Sequence, residues 1–290
     1  MKYFFGPKNK DNYFEGWYFK HASKDLKIAF IPSIAVVDKQ KKAYIQVISN
    51  LFSESFEFPY EDFSAETKSL NIKINNNLFT AQGINLYLKN EKYEIKAELK
   101  YSSFLLPKYD IMGPFRFFPK MECRHNIFSM KHSVNGNITI NNREYPFYND
   151  LGYIEGDCGV SFPEKYVWVQ ANDFPNGAFF LSIATIPYGP FKFTGLISLL
   201  FVGNKEYRFA TYNNSKIVKN TDEHIKLKKG KLTLDVYIKS GDKFVLSAPK
   251  NGLMERKVYE SMDSELEIML SKKDNVIYRG TARNASIEYG

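Results

Sequence analysis

With 290 residues, 44% hydrophobic and 25% charged, the chain can bury a core without cross-links and is too apolar for disorder or a collagen-like repeat. Its 25 Phe and 20 Tyr suit pleated, half-buried strands and set an all-α protein aside. Forty basic against 32 acidic residues give a formal charge of +8, but the lysines are spread through nearly every segment, as on a solvated basic surface and not a nucleic-acid footprint.

The N-terminal MKYFFGPKNK has no apolar signal-peptide core, and the longest strongly apolar stretch, Phe193 to Val202, falls short of the roughly 20 residues of a membrane span. With Cys123 and Cys158 as its only cysteines, the chain reads as a cytoplasmic protein with free thiols. The first strand pattern places Tyr13, Glu15, Trp17, Phe19 and His21 on one face. A carboxyl among aromatics is pushed towards its neutral form, so Glu15 is a candidate proton donor. The alternative is a structural Glu15 that pairs with a cation or caps backbone groups.

Tyr93, Ile95, Ala97 and Leu99 alternate with charged residues, the signature of a strand with one wet face. The segment Phe104 to Lys120 holds Pro107, Pro114 and Pro119, so it reads as a loop over a barrel mouth or a plug between halves. Met121-Glu122-Cys123-Arg124-His125 gathers reactive residue types without a spacing that fixes their convergence. His125 and His132 face opposite ways on one regular strand, so no metal site is expected.

Asn75-Asn76, Asn90-Glu91, Asn135-Gly136, Asn141-Asn142, Asn176-Gly177, Gly203-Asn204, Asn213-Asn214 and Lys229-Gly230 punctuate the chain as hairpin turns. Further on, Tyr153, Glu155 and Asp157 share a face, and two neighbouring carboxyls that resist joint ionisation can keep one proton for acid catalysis. In the next strand Tyr166, Trp168, Gln170 and Asn172 oppose Val167, Val169 and Ala171, and the aromatic and amide face is the one expected to line a cavity. Leu232, Leu234, Val236 and Ile238 repeat the period-2 signature.

Tyr13-Phe14-Glu15-Gly16 recurs as Tyr153-Ile154-Glu155-Gly156, and each copy is followed by a Trp-bearing strand and an apolar run. This predicts an internally duplicated, all-β protein of two antiparallel barrels, residues 1–149 and 150–290, with Glu15 and Glu155 at related positions.

The ordered series YFEGWYFK, IAFIPSI, AYIQVI, MECRH, FSMKHSVNG, GYIEGDCGVSFP and WVQANDF resembles the tocopherol cyclase family over nearly the whole chain. The resemblance implies tandem lipocalin-like barrels and, for the family's enzymes, protonation of a prenyl double bond followed by attack of a phenol oxygen, without a redox cofactor. Gly156 and Cys158 stand where that family usually has a Lys and a Trp, which reshapes the pocket. The expected site is therefore Glu15, Glu155 or Asp157 as acid, with Tyr13, Trp17, Tyr153, Trp168, Gln170 and Asn172 around the ligand. The expected partner is a hydrophobic, prenylated small molecule that is cyclised, isomerised or hydrated, or else simply carried. No cofactor and no nucleic acid are expected, and contact with a membrane surface stays open.

Overall fold

The alternation read from the sequence becomes strands in the computed structural model, which describes every residue except Met1, Asn9, Pro119, Lys120, Gly189 and Pro190. Pro119 and Lys120, which end the proline-rich segment, thus lie outside the described residues. Among the described residues the helical segments are three short 3-10 turns, and no helix is long and apolar enough to cross a membrane.

The first sheet holds β1 (Tyr13–Ala22), β2 (Lys27–Val37), β3 (Gln40–Ser49), β4 (Ser53–Pro59), β5 (Phe63–Ala65), β6 (Asn71–Ile74), β7 (Asn77–Thr80), β8 (Gly83–Lys89), β9 (Glu94–Tyr101), β10 (Cys123–Ile140) and β11 (Arg143–Gly159). Their order is β4-β3-β2-β1-β11-β10-β9-β8-β7-β6-β5. The strands at its two ends, β4 and β5, are joined directly by the 3-10 turn Tyr60–Asp62, so the sheet must curl round on itself to bring its edges together.

The second sheet comprises β12 (Tyr166–Ala171), β13 (Gly177–Tyr188), β14 (Phe191–Val202), β15 (Lys205–Ala210), β16 (Lys216–Asn220), β17 (His224–Lys229), β18 (Leu232–Lys239), β19 (Lys243–Lys250), β20 (Leu253–Lys272) and β21 (Asn275–Tyr289). The path runs β15-β14-β13-β12-β21-β20-β18-β17-β16, with β19 against β20. Again the end strands are consecutive in the chain, linked through the turn Thr211–Asn213. In both sheets three strands in reversed order lead to the first strand of the set, which then pairs with the last. This is the duplication expected from the sequence.

The repeat itself needs correcting. Trp17 and Trp168 do lie on corresponding strands, β1 and β12. Glu15 and Glu155 do not occupy related positions: β11 pairs with β1 inside the first sheet, placing Tyr153, Ile154, Glu155 and Gly156 opposite Lys20, Phe19, Tyr18 and Trp17. Two compact units result, one of Met1–Leu106, His125–Phe162 and Leu246–Lys257, the other of Pro107–Arg124, Pro163–Val245 and Val258–Gly290. The division expected at 149 falls within β11.

Each unit fills its sheet from one face. In the first, Tyr13, Trp17, Phe30, Ile45, Phe79 and Ile154 belong to one buried cluster, and in the second Val169, Phe179, Leu200, Leu234, Ile268 and Ile287 do. Full burial of each such side chain contributes about 1.5–3 kcal/mol. Asn135-Gly136, read as a turn, instead continues β10, where Gly136 pairs with Leu99. Its φ of +136° and a Cβ position only 2.1 Å from the Glu98 carbonyl oxygen reserve that site for glycine.

From Pro107 onward the proline-rich segment belongs to the second unit. Arg208 holds it by donating from Nη1 to the Asp110 carbonyl (3.1 Å) and from Nη2 to the Tyr109 carbonyl (3.0 Å), with the Tyr109 ring 3.5 Å from the guanidinium. The Glu206 carboxylate, 2.8 Å from Arg208 Nε, compensates the buried charge.

Candidate active site

Residues paired across an antiparallel ladder share a face. Glu15 pairs with Cys158 and Tyr18 with Glu155. Tyr13, Trp17, Ile154 and Cys158 belong to the core of the first unit. Glu15 therefore points to the core side, while Tyr153, Glu155 and Asp157 occupy the opposite face of β11 with Tyr18 and the buried Lys20. The three carboxyls expected as alternative acids form two separate groups.

On the core side the Glu15 carboxylate accepts hydrogen bonds from the Phe5 N–H (2.8 Å), the Gly6 N–H (2.9 Å) and the Tyr13 hydroxyl (2.7 Å). Burial raises its pKa, and these three donors oppose the rise only in part. Burial likewise pushes the Tyr13 phenol far up, with the neighbouring Cys158 and Glu15 adding to it, so Tyr13 remains a donor. Trp17 Nε1 donates to the Tyr3 carbonyl at 3.0 Å.

On the opposite face β10 brings His125 against β11. Its Nδ1 lies 2.7 Å from Asp157 Oδ1 and its Nε2 3.1 Å from Glu155 Oε2. The Tyr153 hydroxyl donates to the same Glu155 oxygen at 2.5 Å. Burial disfavours a charged imidazole here, yet the Asp157 and Glu155 carboxylates outweigh it and hold the His125 pKa well above the ordinary value. The Tyr153 phenol is raised by burial and then by Glu155, so it also keeps its proton. The result is an imidazole ring braced between two carboxyl groups, with a phenol donating to one of them.

His125 is the functional candidate that strand arithmetic could not find. Its comparison with His132 on one strand was sound, but the convergence runs across strands, which the spacing of β10 and β11 in the sequence does not reveal. Donor atoms of His125, Glu155 and Asp157 all lie within 4.8 Å of one another, the geometry of a three-ligand cation site. Both imidazole nitrogens already face carboxylate oxygens, so a cation there would have to displace the imidazole proton.

A further polar group sits in the core of the first unit. His21 Nε2 is 2.6 Å from the Tyr101 hydroxyl, and His132 Nδ1 is 2.8 Å from Ser129 Oγ. Burial lowers the pKa of both imidazoles, that of His132 to about 3. The His132 ring fills the side-chain space of Gly152, where a Cβ would stand 2.1 Å from Nε2.

In the second unit the strand alternation is as read, but Val169 and Ala171 are the residues that enter the core. Trp168, Gln170 and Asn172 lie on the other face, all buried. The interior of this sheet is therefore filled from the valine side, which corrects the inward direction expected for the tryptophan. Trp168 pairs with Glu288, which in turn pairs with Glu260, and the Tyr166 hydroxyl donates to Glu288.

Two curled antiparallel sheets of the same strand order define a tandem lipocalin-like protein with a histidine, tyrosine and carboxylate cluster on one of them. The model of the tocopherol cyclase-like family matches residues 87–290, and the chain belongs to that family. No curated protein matches the sequence. Among solved structures, the fold is similar to kievitone hydratase from Nectria haematococca, at 10% identity and a TM-score of 0.53 over 96% of this chain and 88% of that one. It is also similar to CghA with Sch210972, at 7% identity and a TM-score of 0.58 over 96% and 88%. At such identities the likeness is one of fold.

Proposed function

We propose that the protein catalyses acid-promoted cyclisation, isomerisation or hydration of a hydrophobic, prenylated small molecule, with His125, Glu155, Asp157 and Tyr153 handling the proton. The observation that carries this reading is the His125 ring held with Nδ1 2.7 Å from Asp157 and Nε2 3.1 Å from Glu155. Family membership and a fold neighbour that is a hydratase support it.

In the reaction the cluster gives its proton to one carbon of a prenyl double bond, leaving a cation at the more substituted carbon. A phenol oxygen of the same molecule attacks that carbon and its proton returns to the cluster, so cyclisation neither gains nor loses atoms. If water attacks instead, the product is the hydrate. Asp157 and Glu155 keep the imidazole oriented, and the Tyr153 hydroxyl holds Glu155 in place by donating to it. This chemistry calls for no redox cofactor.

The test is turnover of a prenylated hydroquinone in deuterated water, read as one deuterium in the product by mass spectrometry. H125Q, E155Q and D157N are each expected to lower turnover by on the order of 10²–10⁴-fold. The same assay on E15Q decides whether the core-side carboxyl takes part. Undiminished turnover in all three variants rejects the assignment, and tight binding without turnover in the unaltered protein replaces it with a carrier.

A further inference from the structure

Glu15 lies outside the proposed proton-handling group, and what occupies its carboxylate is the chain's own N-terminal segment. Residues 3–6 belong to no strand. They cross the core side of the first sheet, held by the Phe5 and Gly6 N–H bonds to Glu15, the Trp17 bond to the Tyr3 carbonyl and a Tyr3 N–H bond to the Thr67 carbonyl (3.0 Å). Their rings cover aromatic walls: Tyr3 stacks on Phe128 at 5.1 Å, and Phe4 lies 5.6 Å from Phe63 and 6.1 Å from Trp17. The walls are buried, Trp17 to 1% and Phe128 to 2% exposure, whereas Tyr3, Phe4, Phe5 and Gly6 are only half-buried.

Such a segment opens more readily than a strand, because a handful of bonds and not a ladder hold it. Once it lifts, the aromatic walls and a carboxylate become available together. A carboxylate in apolar surroundings requires donors, so whatever replaces the segment must bring an N–H or O–H as well as apolar bulk.

We propose that Tyr3–Gly6 is a displaceable strap over a binding site on the inner face of the first sheet, and that this site takes an apolar aromatic molecule with a hydrogen-bond donor for Glu15. The strap itself presents that chemistry, with aromatic rings beside backbone N–H groups. This inference does not rest on the proton-transfer reading, since the two groups lie on opposite faces of β1 and β11.

The probe is N-phenyl-1-naphthylamine, an apolar aromatic amine with one N–H, whose fluorescence rises on burial. In the full-length chain the paired substitution Tyr3→Ala and Phe4→Ala should tighten its binding by about tenfold or more, because the probe no longer competes with the strap. Adding Glu15→Leu to that variant should weaken binding by about tenfold, the value of a hydrogen bond to a charged group. Glu155→Gln should leave it unchanged. Amide exchange on the unaltered protein supplies an independent readout: the Phe5 and Gly6 amides should exchange at least a hundredfold faster than those at the centre of β1, and faster still with saturating probe. Equal protection of strap and strand overturns the proposal, as does probe binding indifferent to the strap and to Glu15. Binding lost with Glu155→Gln but not with Glu15→Leu places the probe on the other face and also overturns it.

Discussion

His132 offers a stringent test of the electrostatics inside the first unit. Burial lowers its pKa to about 3, against an ordinary 6.5. As pH falls below 6.5 the unfolded chain takes up a proton that the native core refuses until about pH 3. The stabilisation is thus complete above the unfolded value and is lost on acidification, at up to about 1.4 kcal/mol per pH unit and about 5 kcal/mol in all. His132→Asn keeps a polar atom near Ser129 Oγ, removes the titration, and should cost about 1–3 kcal/mol at pH 7 for the smaller side chain. Urea unfolding followed through Trp17 fluorescence in a Trp168→Phe background, at pH 7, 6, 5 and 4, would give both curves. The variant's loss of stability per pH unit should be shallower than the parent's by about 1.4 kcal/mol. It should not be flat, because His21 is lowered by burial as well. Parallel curves for the two proteins would show that the His132 imidazole is protonated or hydrated in the native state and would refute the reasoning.

His125 makes the opposite prediction. Its raised pKa stabilises the fold fully below 6.5, and that contribution disappears as pH rises through the raised native value, so the stability gap between the parent and His125→Gln, measured by urea midpoints from pH 6 to 9, should close with rising pH. Gly136→Ala drives a Cβ to within 2.1 Å of the Glu98 carbonyl oxygen at a φ of +136° and should cost about 3 kcal/mol, seen as a fall of roughly 5–10 °C in the thermal midpoint of the first unit.

Local pattern carried the fold a long way. The alternations at Tyr93–Leu99 and Leu232–Ile238 are β9 and β18, and the turn asparagines Asn75, Asn141, Asn176 and Asn214 all take positive φ. Asn135-Gly136 misled because a glycine can serve close strand approach as well as a turn. Faces within single strands were legible too: Glu155 and Asp157 do share one, opposite Ile154 and Cys158. Partnership between strands was not legible. That β11 returns to pair with β1 separates Glu15 from Glu155, and that β10 lies beside β11 delivers His125, neither of which leaves a mark in local periodicity. Glu15 shows the same limit, since an aromatic neighbourhood does not reveal that the donors at its carboxylate come from Phe5 and Gly6.

The place of β21 between β12 and β20 has a consequence for how the chain is made. Strand β12 leaves the ribosome more than a hundred residues before the strand that covers its open side, a wait of roughly 6–20 s at ordinary elongation rates of about 5–20 residues per second. Throughout that interval the Tyr166–Ala171 edge, apolar on one side and amide-bearing on the other, is exposed to any passing chain. Nascent polypeptide cut short before Asn275 therefore never seals its sheet, and premature termination should yield aggregates and protease substrates, not a shortened working protein.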